Sequence, residues 1–477
     1  MSTTTSKSSA YPGSRLFESL GKKVDLPLDQ LNFIIAQAIA LILAFLFTFL
    51  LKHQSVSKTT RHVASLIPGV ILGYFCFGYQ ISNLLVMGML CYIAMITCKA
   101  NVVQRVVLFV AMFYLSYLHL LRLIQEYGSY TVDITGPTMI AVQKVTSLAF
   151  SLHDGLARPQ EQLTNEQRKY SVRKIPSLLE FLSYIFQFQS LMCGPLVYYN
   201  DYIEFIEGKN FARHMEGNTT KSKPTAMWAV MRRLSISVFF AIMLLTLTPK
   251  FPVDKLADEN YLRQTSFFSL MLYLFATTAV ARFKYYHAWN LGETICNASG
   301  LGFNGFTTDG KPKWDLISGV DIVRFETSLN LREALEAWNK TTQSWLRRIA
   351  YERTRRYRTL ATYVLSAVWH GFYPGYYMTF LTGALYTQAA RTARRCIRPH
   401  FQKSTSLAFF YDIITCITTR VMMVYLVFPF VLLEFYASLK VYIRLYFYGH
   451  LFSLLAIFVL PKLLPPPPVK GASHKLS

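Results

Sequence analysis

Charge is scarce in this sequence, and what there is leans one way. Asp, Glu, Lys and Arg make up 16% of the 477 residues, against roughly 25% in soluble domains. Only 26 residues are acidic against 49 basic, a formal net charge of +23. So little charge excludes an ordinary soluble domain, and a nucleic-acid binder would carry its bases on a soluble, aromatic-interleaved surface. Here they lie between apolar segments instead. The seven cysteines (Cys76, Cys91, Cys98, Cys193, Cys296, Cys396 and Cys416) show no CxxC or metal-ligand spacing, which argues against a disulfide framework or a bound metal. There is no internal repeat of the kind that builds secondary transporters. The polar N-terminus lacks the charged-then-apolar start of a cleavable signal, so the first apolar helix is expected to act as an uncleaved signal-anchor. The proline-stiffened C-terminal stretch "PKLLPPPPVKGASHKLS" carries no KDEL-type address and is expected to be dispensable for chemistry.

What fills the chain is apolar: 52% of residues are hydrophobic, 15% aromatic, and the mean hydropathy is +0.28. Leu31 to Leu51 is 21 residues without a charge, long enough at about 1.5 Å per residue to cross a ~30 Å hydrocarbon core. Further candidates are 63–79, 81–96, 102–123, 178–199, 227–247, 267–283, 360–377, 378–390, 407–433 and 441–460. The expectation is an all-α, polytopic integral membrane protein of about eleven spans, with a polar tail at 1–24, a membrane domain at 25–462 and a Pro-rich tail at 463–477. Gly371, Pro374 and Gly375 interrupt the 360–390 region, which reads as a kinked helix or a re-entrant pair. The basic clusters 52–62, 347–358 and 391–400 are expected to be cytoplasmic loops facing anionic headgroups.

Two residues stand out against this background. In "LREALEAWNKTTQSWLRRIA", Leu331, Leu335, Trp338, Thr342, Trp345, Leu346 and Ile349 recur every three or four positions, predicting one amphipathic helix on or in the membrane face. Asn339 lies beside that stripe. It also matches an N-glycosylation acceptor pattern, as do Asn218 and Asn297. In "SAVWHGFYPGYY", a helix entering near Ala361 carries His370 about 14 Å along its axis, roughly half the hydrocarbon depth. An ionisable ring there either packs helices through a backbone bond or marks a reaction pathway. Held away from water, the imidazole stays neutral and can take a proton. An alcohol needs such a base before it can attack; a thiolate leaves a thioester without strong acid help, and a carboxamide can steady the oxyanion.

The pairing of "EAWNKTTQSWLRRIAYER" with "SAVWHGFYPGYYMTFLTGAL" resembles the membrane-bound O-acyltransferase family, in its lysophospholipid acyltransferase branch. The resemblance continues in order through "LPLDQLNF", "TGPTMIAVQKVTSLAFSLHDG", "PSLLEFLSYIFQFQSLMCGP", "DYIEFIEGK", "KYYHAWNLGETICNASGLGFNG" and "WDLISGVDI". It implies a helical bundle around an internal tunnel, entered by acyl-CoA from the cytosol and by a lysophospholipid from the bilayer. His370 and Asn339 then take the positions of the catalytic histidine and asparagine, and the branch implies ethanolamine, serine or choline acceptors and residence in the endoplasmic reticulum. No metal or redox cofactor is called for; acyl-CoA is a co-substrate. Where members often read "WNIQTA", this chain reads "WNKTTQ", which puts Lys340 after the asparagine.

Substrate contacts are expected from Trp338, Trp369, Lys284, Tyr285, Glu293 and Asn297, the last two four apart on one helical face. Arg347, Arg348, Arg353, Arg355 and Arg356 are candidates for the CoA phosphates. His153 and Asp154, in a recurring "HDG", fit a structural role. Acylation of a protein or a sterol-like alcohol, and a non-enzymatic polytopic transporter, are the alternative readings. The sequence assigns no oligomeric state.

Overall fold

The computed structural model describes residues 11–128, 131–215 and 224–467. Among these residues the chain is helical throughout, and the only β element is an isolated bridge between Phe306 and Pro312. Six helices are long and apolar enough to cross a membrane: Leu28–Leu50, the continuous stretch Lys58–Thr97, Val103–Gln125, Met227–Leu247, Phe267–Ser299 and Thr405–Leu432. A pair bent by 72°, Phe435–Arg444 with Tyr448–Leu463, makes up to seven. The other apolar segments of the expected eleven form shorter or more polar helices.

The spans place small residues inside and large ones outside. Along Leu28–Leu50, Ala36, Ala40 and Ala44 are fully buried in an i, i+4 row, and this helix packs on Phe267–Ser299. Between lipid-embedded helices, close backbone approach of this kind supplies the attraction that water would otherwise drive. Phe109, Phe113, Trp228, Phe268 and Leu272 are exposed, as lipid-facing side chains must be. The buried side chains form two apolar cores. One gathers residues from Ala36 to Ile206 together with Ile295, Trp345, Leu346, Ile349 and Trp369; the other gathers Tyr286, Phe325, Leu331, Ala337, Tyr386 and side chains between Met423 and Leu445.

Four sequence expectations change. The apolar run 178–199 is a helix only over Leu178–Phe186; residues 187–198 continue as buried, non-helical chain. A continuous apolar run reports burial, not helix length, and irregular backbone at this depth is tolerated because protein surrounds it. Phe188 N–H donates to the carbonyl of Ser65 at 3.2 Å, and Ser65 Oγ to Gln189 Oε1 at 2.9 Å. The 391–400 cluster is no loop but the end of one helix, Pro374–Phe401, whose arginines line its outer turns. Arg61, expected in a solvated loop, is buried. Its Nε donates to Ile206 O at 2.7 Å, its Nη2 to Phe205 O at 2.9 Å, and it lies 4.7 Å over the Phe47 ring. Finally, the predicted amphipathic helix 331–349 is two helices, Leu331–Ala337 and Lys340–Leu346, followed by a π-helical turn at Arg347–Tyr351. Its stripe packs into the protein cores instead of lying on the membrane.

Gly69 shows how closely the irregular segment is held: a Cβ there would lie 1.7 Å from the carbonyl oxygen of Phe186. Gly69→Val should therefore lower stability by about 1–3 kcal/mol or more, as overpacking does. A clear fall in the thermal midpoint of detergent-extracted protein checks this, and an unchanged midpoint would show that the segment yields freely.

Candidate active site

The helix Arg358–His370 ends on the histidine itself. Gly371 follows with φ +116, a backbone region that side chains with a Cβ rarely enter, and a Cβ there would meet His119 Nδ1 at 3.0 Å. The other ring nitrogen of His119 donates to the carbonyl of Trp369 at 3.1 Å. Trp369 Nε1–H donates to Met139 O at 3.0 Å, and its ring packs on Trp345 with centroids 5.6 Å apart. Each residue of the W-H-G triplet thus has a separate physical task, and together they clamp the helix end.

The imidazole of His370 is surrounded by the rings of Trp369, Phe380, Phe430 and Tyr376, at 4.6, 4.8, 5.3 and 6.0 Å between centroids. Its Nδ1 lies 2.7 Å from the carbonyl oxygen of Ser366, one helical turn back. A carbonyl can only accept, so Nδ1 carries the proton and Nε2 is left with its lone pair. The residue is half-buried.

Asn339 occupies the break between the two short helices, with φ +43 and ψ +56. Asparagine is one of the few residues that enters this left-handed region at modest cost. The strand-like partners of the break hold it open: Lys340 N–H donates to Gly319 O at 2.8 Å and Asp321 N–H to Ala337 O at 2.9 Å. Although Asn339 is the N-cap of the Lys340–Leu346 helix, its side chain makes no capping bond. Before it, Trp338 sits in an aromatic group with Trp289, Phe325, Tyr285 and Tyr286 at 5.0, 5.0, 5.7 and 5.8 Å.

Both residues mark crossings between the two apolar cores. The chain leaves one core at Ala337 and enters the other at Trp345, with Asn339 between. It leaves the latter at Trp369 and returns by Met378 and Tyr386, with His370 between. Trp345 and Trp369 connect the two crossings, while among the described residues no direct hydrogen bond joins Asn339 to His370.

The other expected residues are placed unevenly. Tyr285 joins the Trp338 aromatic group, whereas Lys284 is exposed with its ammonium 5.2 Å over the Tyr285 ring. Glu293 is buried and paired with Arg233 at 2.9 Å, and Lys340 lies within electrostatic reach of it. Asn297 is buried, and neither amide atom has a hydrogen-bond partner among the described residues; a glycan acceptor could not sit so deep. Asn218 lies outside the described residues. Arg347 is exposed and pairs with Glu352 at 3.0 Å. Arg353 forms a two-pronged pair with Asp154 at 2.8 and 2.5 Å, and Arg158 adds a third bond at 3.0 Å. The aspartate of "HDG" thus ties the Thr135–Leu156 helix to the chain just past Asn339.

Arg348, expected among the basic groups offered to the CoA phosphates at a cytoplasmic mouth, is instead buried between the rings of Tyr170 and Tyr198 at 4.7 and 4.6 Å. Its Nη2 lies 3.4 Å from Ser151 Oγ, and its Nε and Nη1 have no hydrogen-bond partner among the described residues. Three residues beyond Trp345, it shares the buried face, while Arg347 points away; helical phase could have separated the two.

The chain matches the model of the membrane-bound O-acyltransferase family over residues 120–428. It is 48% identical over 461 residues to lysophospholipid acyltransferase 6 of Drosophila melanogaster, an alignment covering 95% of this chain and 64% of that protein. Membrane-bound glycerophospholipid O-acyltransferase 1 of Mus musculus is 40% identical over 457 residues, covering 94% of this chain and 93% of the relative. The human protein numbered 2 in that series is also 40% identical, with 94% and 88% covered. A family match across more than half of the chain, and relatives this similar over nearly all of it, lead to one conclusion: the chain belongs to the membrane-bound O-acyltransferase family.

Proposed function

We propose that this protein transfers an acyl chain from acyl-CoA to the free glycerol hydroxyl of a lysophospholipid, in phospholipid remodelling at the endoplasmic reticulum membrane. The acceptors that fit the reading are lysophosphatidylethanolamine, lysophosphatidylserine and lysophosphatidylcholine, in keeping with the names of the similar proteins. The observation that carries the chemistry is the bond from His370 Nδ1–H to Ser366 O. It leaves Nε2 as the one ring atom able to receive a proton.

In this reading Nε2 takes the hydroxyl proton as the glycerol oxygen attacks the thioester carbonyl carbon. The tetrahedral oxyanion accepts a hydrogen bond from the Asn339 amide, which is not spent on capping. Collapse breaks the carbon–sulfur bond, and the departing thiolate recovers the proton from the imidazolium. The products are a diacyl phospholipid and CoA, and the histidine returns to its starting state. A cyclic proton balance of this kind needs no metal or redox partner.

Trp338 and Trp369 set the backbone of the two active residues, and Arg347 and Arg348 are the basic groups offered to the CoA phosphates. Arg353 acts as a positioning residue through Asp154. Glu293, Asn297, Lys284 and Tyr285 belong to the surroundings of the acceptor.

Turnover of labelled oleoyl-CoA with lysophosphatidylethanolamine in microsomes should fall at least ~100-fold in His370→Ala, the usual worth of a general base, with expression unchanged. Asn339→Gly keeps the left-handed backbone while deleting the amide, so it should remain as heat-stable as the native protein and still lose most of its kcat. Normal activity in that variant would reduce Asn339 to a turn residue. Arg353→Ala should cost about 1–3 kcal/mol, because the buried Asp154 carboxylate loses two bonds and keeps only the one from Arg158. That loss should be read in the thermal midpoint of extracted protein, with the KM for acyl-CoA unchanged.

A further inference from the structure

Both active segments hang on one helix that the mechanism leaves out. In Thr135–Leu156 every residue from Ala141 to Leu152 is buried, so its side chains meet protein on all sides. Met139 O accepts from Trp369 Nε1–H at 3.0 Å, beside His370. One turn further on, Gln143 Nε2 donates to Thr342 Oγ1 at 2.8 Å, and Thr146 Oγ1 accepts from Trp345 Nε1–H at 2.9 Å. Thr342 and Trp345 both lie in Lys340–Leu346, the short helix that begins at Asn339.

The spacing matters because a buried helix is stiff. Met139 and Gln143 are four residues apart, about 6 Å along the axis, and this offset separates the attachment of Trp369 from that of Thr342. Asn339 is tied to the same turn as Thr342, since its carbonyl accepts from Gln343 N–H at 2.9 Å. A shift of Thr342 therefore carries Asn339 with it. For stability alone, Gln143 is a poor choice. It is fully buried, and its Oε1 has no hydrogen-bond partner among the described residues. A buried acceptor without a partner lowers stability, and a methionine of similar size would fill the space without that penalty. Local rules are broken in this way where function needs the geometry.

We propose that Gln143 is a positioning residue for Asn339: through its bond to Thr342 it fixes the asparagine amide relative to His370, which the same helix holds through Met139 and Trp369. The assignment rests on the acyltransferase reading and deepens it by naming what sets its two active groups against each other. An oxyanion donor acts only where charge develops, so a displaced amide weakens binding of the transition state and leaves binding of the substrates as it was. The expected mark of Gln143 is thus on kcat and not on KM.

The test uses purified full-length protein in a nonionic detergent, with oleoyl-CoA and lysophosphatidylethanolamine as substrates. The variants are Gln143→Met, Thr342→Val, the two combined, and Thr342→Ser. Sites are titrated with a non-hydrolysable thioether analogue of oleoyl-CoA, so that kcat refers to folded protein whatever fraction of a preparation has unfolded. Gln143→Met and Thr342→Val each leave one buried partner alone and should lower both the thermal midpoint and kcat. The double variant removes both polar groups, so its midpoint should return close to the native value. Its kcat should stay down about tenfold or more, the usual effect of a small misplacement, with both KM values unchanged. Thr342→Ser keeps the hydroxyl and should keep most of the native kcat. Recovery of kcat in the double variant makes the bond structural only and overturns the proposal, as does a raised KM with native kcat. No acyl transfer by the native protein refutes the acyltransferase reading and this assignment with it. Native transfer with kcat unaltered in every variant overturns the assignment alone.

Discussion

Inside a bundle shielded from water, a polar group has to find its partner within the protein, because an unsatisfied donor or acceptor costs several kcal/mol there. The His370–Ser366 bond is that constraint applied to an imidazole. The Ser366 carbonyl, one turn back in Arg358–His370, accepts a hydrogen bond from Nδ1–H, and the satisfaction of one ring nitrogen decides the state of the other. The left-handed glycine after it stops the helix so that the ring comes at its last turn.

Asn339 is governed by the mirror of that logic. Its break is held by backbone bonds to Gly319 and from Asp321, segments of the polar insertion, so the insertion is the scaffold of the turn and not an appendage. Around it the charged groups fall into two types. Asp154 with Arg353 and Arg158 is a closed set that ties helices together. Arg348 and Arg420 each keep a buried donor with no hydrogen-bond partner among the described residues. In a medium where unpaired charge is costly, the closed set holds helices together.

Much of this was legible in the chain. The uncharged run at Leu31–Leu51 could only be a span, and the triplet around His370 announced an ionisable ring where apolar packing was the rule. The pause at Gly371–Pro374 was visible, because those residues disfavour a continuing helix wherever they occur. The run 178–199 misled because apolar composition is shared by spanning helices and by irregular chain enclosed in protein. The stripe through Asn339 misled because periodicity averages over a turn, and a single residue at positive φ re-aims everything after it without altering the spacing before it. Arginine, too, hides its role: Arg61 and Arg348 are buried while Arg347 is exposed, in clusters that look equally basic.

The sequence by itself determined that this is a polytopic helical membrane protein, the family whose motifs it carries, and the two residues around which a reaction could be built. Those properties reside in composition, run length and local spacing. Tertiary structure alone decided that Asn339 sits at a break, and that Arg353 is committed to a carboxylate 199 positions away. It also decided that two arginines from different spans share one glutamate. Such outcomes depend on which groups meet across the fold, and the energy of a buried charge or donor is set by that partner and by the absence of water, neither of which is written in any short stretch of chain.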